Sequence, residues 1–177
     1  IRIVSNDLND TIRHLSEVIS LQNKAVINIK SLDLYSFLKK TITVIAPQIN
    51  EKKATIINNV SEGSRVNFNP AYLESILLNL STNAIKYASP DRMPIVKFDF
   101  FIENKKKVFT LTDNGLGIDL EKYGEVLFDI FKTFHATDKG SGLGLHMVKN
   151  QIDAMDGKLE VSSKVGEGSC FKIIFKD

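Results

Sequence analysis

Four polar residues recur at helical spacing in the segment NLSTNAIKYA, and their side chains could bind a metal ion and a phosphate group. Asn79, Asn83, Lys86 and Tyr87 would lie on one face of a helix, because neighbours on a helix surface are three or four residues apart. Amide oxygens suit a hard cation such as Mg²⁺, which uses few protein ligands when phosphates supply the others. The alternative is that the two asparagines cap or solvate the helix surface.

Three glycine-bearing groups lie where predicted strands and helices meet: DNGLG from residue 113, GSGLG from residue 140 and GEG from residue 166. Neither of the first two fits the dinucleotide pattern G-x-G-x-x-G, and no G-x-x-x-x-G-K-[ST] phosphate loop occurs in the chain. KGSGLGLHMV does place small residues and free backbone N–H groups at the start of a helix, where an anion is favoured. A flexible loop is the alternative for this motif alone.

Composition and charge exclude several classes of function. The 177 residues are 43% hydrophobic, enough for a core, and the net charge of +2 gives no strong attraction to nucleic acid or a membrane surface. The single cysteine, Cys170, cannot form an internal disulfide, and its alternation with apolar residues predicts a buried strand position. No stretch approaches the ~20 apolar residues that cross a bilayer. We therefore expect a cytoplasmic domain that contacts neither nucleic acid nor the membrane directly.

The first half of the chain predicts two helices before the polar stripe. A bundle-type helix over residues 6–22 would carry one narrow apolar stripe, which requires a partner helix. The stripe consists of Leu8, Ile12, Leu15 and Ile19. A second helix over residues 33–52 would start at Asp33 and would kink or end early at Pro47. ATIINNV and SRVNF then read as short strands.

The remaining elements predict a mixed sheet. Asn69-Pro70 starts a long helix that contains the polar stripe, and PIVKFDFFIE with KVFTLTD forms a hairpin. DLEKYGEVLFDIF predicts a short helix, KTFHATDKGSG a polar loop, and GLGLHMVKNQIDAMDG a helix with Gly157 as its C-cap. A second hairpin turns around Gly166 and Gly168. The expected fold is α/β (α+β), a two-layer sandwich of a mixed sheet and helices, preceded by the bundle-type helix.

Five motifs in order, NLSTNAIKYA, DNGLGI, FDIF, GSGLGL and GEGSCF, resemble the asparagine box and glycine boxes of the ATP-binding domain of sensor histidine kinases. The resemblance covers about residues 33–177. It implies a sandwich of the GHKL (Bergerat) type, shared with DNA gyrase, MutL-like and heat-shock chaperone ATPases. It also implies that residues 1–30 are the end of a dimerisation helical hairpin and residues 31–177 the ATP-binding catalytic domain.

The resemblance implies roles for single residues, with ATP and Mg²⁺ as cofactors. Asp113 would accept a hydrogen bond from the adenine amino group, and Gly115 and Gly117 would let the backbone pass close to the base. Asn83 would bind Mg²⁺, and Asn79 and Lys86 would complete the catalytic set. The other nucleotide-binding positions that the motifs imply are Tyr87, Lys139, Ser141, Gly142, Leu143, Gly144 and Ser169.

The loop before the second glycine box departs from the family. Phe128 and Phe131 match the phenylalanine box, but Lys132-Thr133 follow where many members carry a tyrosine and an arginine. The sequence therefore does not determine which residue of this loop meets the γ-phosphate. The candidates are Lys132, His135 and Lys139.

Asn79 favours one type of reaction. The GHKL ATPases carry a glutamate at this position as general base, four residues before the metal-binding asparagine, whereas an amide cannot take a proton from water. Glu74 does not replace it by spacing. The resemblance therefore implies transfer of the γ-phosphoryl group to a protein nucleophile, with positioning and charge neutralisation as the main contributions to catalysis.

The acceptor that the resemblance implies is a histidine on the dimerisation hairpin, from which an aspartate of a response regulator receives the phosphoryl group. His14 does not match, because Leu15-Ser16 follow it where the family has an acidic residue. We therefore expect the acceptor upstream, in a homodimeric parent, and the sequence leaves open whether that parent is anchored to a membrane. The alternatives are a GHKL-type ATPase, a protein-serine kinase relative, and a nucleotide-binding module without turnover.

Overall fold

The computed structural model describes residues 28–129 and 142–176. The strands are β1 (Lys30–Asp33), β2 (Thr55–Asn58), β3 (Arg65–Phe68), β4 (Ile95–Glu103), β5 (Lys106–Asp113), β6 (Lys158–Lys164) and β7 (Gly168–Ile174). The helices are α1 (Leu34–Val44), α2 (Ala46–Lys52), α3 (Pro70–Lys86), α4 (Leu120–Tyr123) and α5 (Gly144–Asp153). Among the described helices, none is both long enough and apolar enough to span a bilayer.

Five strands form a mixed sheet in the order β2-β4-β5-β7-β6, and β1 pairs with β3 in a separate two-stranded sheet. Only β2 and β4 run parallel, while the other neighbours in the large sheet are antiparallel. The register pairs Asp113, at the end of β5, with Ser169, near the start of β7. The predicted mixed sheet with two hairpins is confirmed.

The core lies between the helices and one face of the large sheet. Alternate residues of β4 lie on opposite faces of the sheet, since Val96 and Phe98 are buried while Lys97 is exposed. Helix α3 contributes Leu73, Ile76, Leu77 and Leu80, all fully buried. Fully burying one such side chain contributes about 1.5–3 kcal/mol. This stripe fixes α3 to the sheet and so determines which of its side chains face α5.

Local signals account for where two helices begin and end. The Asn69 side-chain oxygen accepts hydrogen bonds from the N–H groups of Ala71 and Tyr72, 2.9 and 3.1 Å away, and Pro70 occupies the first turn. The helix predicted over residues 33–52 divides at Ile45, because Pro47 cannot donate to the carbonyl four residues before it. Both predictions are confirmed.

One strand was missed, and two sequence predictions need correction. Strand β1 was not predicted. Gly157 is not a left-handed C-cap, because α5 ends at Asp153 and the residue with positive φ is Asp156, at 53°. A Cβ on Gly157 would lie 3.1 Å from the Ile174 carbonyl oxygen, so a close approach to β7 favours glycine there. Cys170 is half-buried, because its alternation places it on the sheet face opposite the described helices.

Other predictions are shortened or lie outside the described residues. The helix predicted in DLEKYGEVLFDIF is one turn, α4, followed by a 3-10 turn over Gly124–Val126. The bundle-type helix and most of the polar loop lie outside the described residues. The single residues concerned are His14, Phe131, Lys132, His135, Lys139 and Ser141. The division into domains at residues 30 and 31 stays a prediction.

Candidate functional site

The predicted site residues from four segments come together at one end of the large sheet. The end of α3 contacts the turn after β5, because the Leu116 N–H donates to the Tyr87 carbonyl oxygen over 2.9 Å. Asp113 lies beside Ser169 across the β5–β7 ladder. The start of α5 at Gly144 lies against α3.

Asp113 presents a carboxylate that backbone groups orient. One of its oxygens accepts a hydrogen bond from the Gly115 N–H over 2.8 Å. Burial raises the pKa of the Asp113 carboxyl, while backbone hydrogen bonds from Gly115 and Ser169 and the positive charge of Arg92 oppose that rise. A carboxylate offers about four lone-pair positions, so Asp113 keeps the capacity to accept from a ligand donor.

The turn after β5 and the β6–β7 turn fit into each other. Gly117 has φ of 71°, and a Cβ on it would lie 2.0 Å from the Lys164 carbonyl oxygen. Gly168 has φ of 123°, and its Cβ would lie 2.0 Å from the Asp113 carbonyl oxygen. A side chain at Gly168 would therefore displace the backbone of Asp113, and a side chain at Gly117 would displace the backbone of the β6–β7 turn at Lys164.

Gly115 belongs to the same turn. A Cβ there would lie 2.5 Å from the Tyr87 carbonyl oxygen. The close neighbours of Gly115 and Gly117 are thus groups of the protein itself, namely backbone atoms and, at Gly115, the Asp113 carboxylate. Their approach to a nucleotide base stays a prediction.

The two asparagines flank the start of α5. The Asn79 Nδ2 donates to the Ser75 carbonyl oxygen over 3.0 Å, which directs the Asn79 Oδ1 toward Gly144. A Cβ on Gly144 would lie 3.1 Å from that oxygen and 3.9 Å from the Asn83 Nδ2. Two amide groups therefore border the N-terminus of α5, where the first N–H groups favour an anion.

Behind Asn79 lies a polar pair that sequence reasoning missed. The Ser75 hydroxyl accepts a hydrogen bond from the Gln151 Nε2 over 3.0 Å, joining α3 to α5. Gln151 is 2% exposed, and its Oε1 has no hydrogen-bond partner among the described residues. Ser75 lies four residues before Asn79, so the same helical spacing could have extended the polar stripe to it.

Lys86 and Tyr87 interact with each other at the exposed end of α3. The Lys86 ammonium donates to the Tyr87 hydroxyl over 2.9 Å and lies 4.6 Å from the centre of its ring. Tyr87 also holds the turn after β5 through its carbonyl oxygen. Tyr87 thus joins the end of α3 to the turn that follows Asp113.

Ser169 uses its hydroxyl proton within the protein. The Ser163 hydroxyl donates to the Gly168 carbonyl oxygen and accepts from the Ile118 N–H, so in its 2.8 Å contact with Ser169 it is the acceptor. Ser169 is 8% exposed and lies beside Asp113. Its oxygen, not its proton, is the part left for a ligand.

The second glycine box is described only from Gly142 onward. Gly142 has φ of 66°, and Leu143 is buried and accepts from the Met147 N–H over 2.9 Å. His146 is packed, since its Nδ1 lies 2.7 Å from the Phe128 carbonyl oxygen and its Nε2 lies 2.8 Å from the Asn150 Nδ2. His146 is therefore engaged at both ring nitrogens.

Arg92 is a further residue beside the site that sequence reasoning missed. It lies in the polar segment ASPDRMP between α3 and β4, and no spacing there points to a ligand. Its guanidinium donates to carbonyl oxygens of the turn after β5 and of the β6–β7 turn.

Comparison with known proteins identifies the family and the fold. The family described as histidine kinase-, DNA gyrase B-, and HSP90-like ATPase matches residues 68–177. The chain is 29% identical over 157 residues to sensor protein RprX of Bacteroides fragilis, covering 86% of this chain and 30% of RprX. It is 33% identical over 141 residues to phytochrome-like protein Cph1 of Synechocystis, covering 78% of this chain and 18% of Cph1. The chain thus spans less than a third of these curated relatives.

Solved structures share the fold. Histidine kinase AdeS of Acinetobacter baumannii superposes with a TM-score of 0.77 at 20% identity, covering 97% of this chain and 79% of AdeS. The catalytic domain of histidine kinase ThkA gives a TM-score of 0.71 at 21% identity, covering 84% and 95%. The expected GHKL-type sandwich is thereby confirmed. The chain belongs to the histidine kinase-, DNA gyrase B- and HSP90-like ATPase family, as a catalytic domain of the sensor histidine kinase type.

Proposed function

We propose that this domain binds ATP with Mg²⁺ and transfers the γ-phosphoryl group to a histidine of its parent protein, for relay to a response regulator aspartate. Family membership supports ATP as the nucleotide. The finer steps rest on how the chemistry of the site residues suits the reaction.

The Asp113 end of the site suits adenine. Its carboxylate is held by the Gly115 N–H and can accept a hydrogen bond from an exocyclic amino group. A guanine would present a carbonyl oxygen to the same carboxylate, and two acceptors repel each other. The Ser169 oxygen, next to Asp113, adds a second acceptor on this side.

The α5 end of the site suits phosphates. The helix N-terminus and the space that glycine leaves at position 144 form an anion-binding cradle beside the Asn79 and Asn83 amides. Asn83 would hold Mg²⁺, which supplies neutralisation of phosphate charge when bound. Among the described residues, no three His, Cys, Asp or Glu side chains cluster as metal ligands, so Asn83 and the phosphates would share the ion.

The single observation that carries the choice of reaction is the Asn79 amide. Its Nδ2 is engaged by Ser75 and its Oδ1 faces the start of α5, so the group nearest the phosphate cradle has no basic site. Hydrolysis would lack a general base there, whereas transfer to an imidazole needs mainly positioning. Asn79 therefore favours transfer over hydrolysis.

The test restores the upstream segment of the parent protein, adds γ-labelled ATP and Mg²⁺, and measures protein-bound label and free phosphate together. Acid-labile, base-stable label on the protein supports the kinase. Free phosphate without protein label would identify an ATPase, and nucleotide binding without either product would identify a module without turnover.

A pair of variants sharpens this test. Asn79→Glu places a carboxylate where the ATPases have their base, and we expect free phosphate to rise at the expense of protein label. Glu74→Gln is the matched control on the exposed side of the same helix, and we expect both products to stay unchanged. A fall in label for both variants without free phosphate would contradict the role of Asn79.

A further inference from the structure

We propose that Arg92 is a positioning residue that sets adenine recognition by fixing the turn behind Asp113. The inference rests on the proposed function, since it concerns the nucleotide site described above. It extends that function to a residue outside every motif found in the sequence.

Three backbone carbonyl oxygens converge on the Arg92 guanidinium. Its Nε donates to the Asn114 oxygen over 2.6 Å, and its Nη2 donates to the Gly115 and Gly166 oxygens, each over 2.7 Å. Hydrogen bonds from a charged donor are shorter and stronger than neutral ones. One side chain therefore joins the turn after β5 to the β6–β7 turn.

As a result, two consecutive peptide units have both their carbonyl oxygen and their N–H engaged in hydrogen bonds. In the first, Arg92 binds the Asn114 oxygen while the Gly115 N–H donates to the Asp113 carboxylate. In the second, Arg92 binds the Gly115 oxygen while the Leu116 N–H donates to the Tyr87 oxygen. A hydrogen bond to a carbonyl oxygen polarises the N–H of the same peptide unit, so Arg92 strengthens the bond that orients Asp113.

The β6–β7 turn is held at both polar backbone groups of Gly166. The Gly166 N–H donates to the Leu116 oxygen over 2.7 Å, and the Gly166 oxygen accepts from Arg92. The segment that carries Arg92 is itself fixed, because the Asn114 side chain accepts from the Ile95 N–H and donates to the Met93 oxygen. The segment before β4 and the turn after β5 thus hold each other in place.

A lysine could not reproduce these contacts. Arg92 uses two different nitrogens of a planar group to reach three oxygens, whereas a lysine has one nitrogen at the end of a flexible chain. Arg92→Lys should therefore keep part of the hydrogen bonding that fixes the turn behind Asp113. Arg92→Met keeps the apolar stem and should remove all of it.

The test compares the dissociation constants of ATP and inosine triphosphate, which has an oxygen in place of the 6-amino group. We expect Arg92→Met to weaken ATP binding about tenfold, the effect of one charge-assisted hydrogen bond, and inosine triphosphate binding far less. Arg92→Lys should be intermediate. The control is Arg65→Met, because Arg65 also donates to one backbone carbonyl, that of Ser31, but between β1 and β3.

The outcomes separate this inference from the proposed function. If the wild-type protein shows no preference for ATP, adenine recognition by Asp113 fails and the role of Arg92 fails with it. If the wild type prefers ATP and Arg92→Met keeps the same ratio of the two dissociation constants, only the role of Arg92 is overturned. An unchanged ratio is what a general loss of stability would give, because it would weaken the binding of both nucleotides alike.

A second measurement tests the inference even if Arg92→Met does not fold. Amide hydrogen exchange in Arg92→Lys should accelerate at Gly115, Leu116 and Gly166, whose N–H bonds depend on the turn. Exchange at the β1–β3 amides should stay unchanged. Wild-type protection at all three turn amides would overturn the inference.

Discussion

Gly144→Ala should separate stability from nucleotide binding. Gly144 is the first residue of α5, and alanine in a helix is favoured over glycine by up to about 1 kcal/mol. The new Cβ would lie 3.1 Å from the Asn79 Oδ1, so the amide must shift and strain its bond to Ser75, which contributes about 1 kcal/mol. The two effects oppose each other, and the free energy of unfolding should change by less than about 1 kcal/mol.

Binding should respond far more than stability. The methyl group would occupy the space between Asn79 and Asn83 that we assign to the phosphates. Losing one hydrogen bond to a charged group costs about 1.5–3 kcal/mol, so the Mg-ATP dissociation constant should rise by about tenfold or more. Isothermal titration with ATP and Mg²⁺ measures the affinity, and urea unfolding measures the stability.

Gly124→Ala is the control. Among the described residues, a Cβ at Gly124 would meet nothing closer than the Leu120 Cβ at 4.0 Å, and Gly124 has helical dihedral angles, so we expect unchanged binding. Gly144→Ala protein that folds normally and binds Mg-ATP as tightly as the wild type would refute the phosphate cradle at α5.

Three further predictions concern stability. Because burial raises the pKa of Asp113 in the folded protein, its neutral form contributes stability that is full at acid pH and lost as the pH rises through the raised pKa. Asp113→Asn should therefore resist urea at least as well as the wild type at pH 7 while losing ATP affinity, and a lower urea midpoint would contradict this. Asn69→Ala removes the acceptor of two helix N–H groups and should lower the free energy of unfolding by about 1 kcal/mol, measured in urea. Ser75→Ala leaves the buried Gln151 donor unpaired and should cost about 1–3 kcal/mol, whereas adding Gln151→Met should recover most of that loss in the same assay.

Local signals account for the parts of the fold that the sequence predicts. The start of α3 could be predicted because Asn69 and Pro70 act on N–H groups within three residues of them. The candidate site residues could be chosen because their motifs keep the order and spacing of a known family, and their roles stay predictions. These features depend on neighbours in the chain.

The features that were missed depend on distant partners. Strand β1 has one buried side chain, Leu32, and exists because it pairs with β3 from Lys30 opposite Phe68 to Asp33 opposite Arg65. The three acceptors of Arg92 are backbone oxygens, which no pattern of side chains reveals. Gly157 resembles a helix cap in the sequence, but the contact that requires it comes from β7.

The interlocked turns at Gly117 and Gly168 impose an order on folding. Each is shaped against backbone from the other, so neither reaches its final form until β7 has paired with β5, a contact between segments distant in the chain. An emerging polypeptide that holds β5 but not yet β7 therefore has Asp113 without its support. If nucleotide binds at Asp113 as we propose, we expect it to act on the last step of folding, slowing the opening of the finished domain more than it speeds the first collapse.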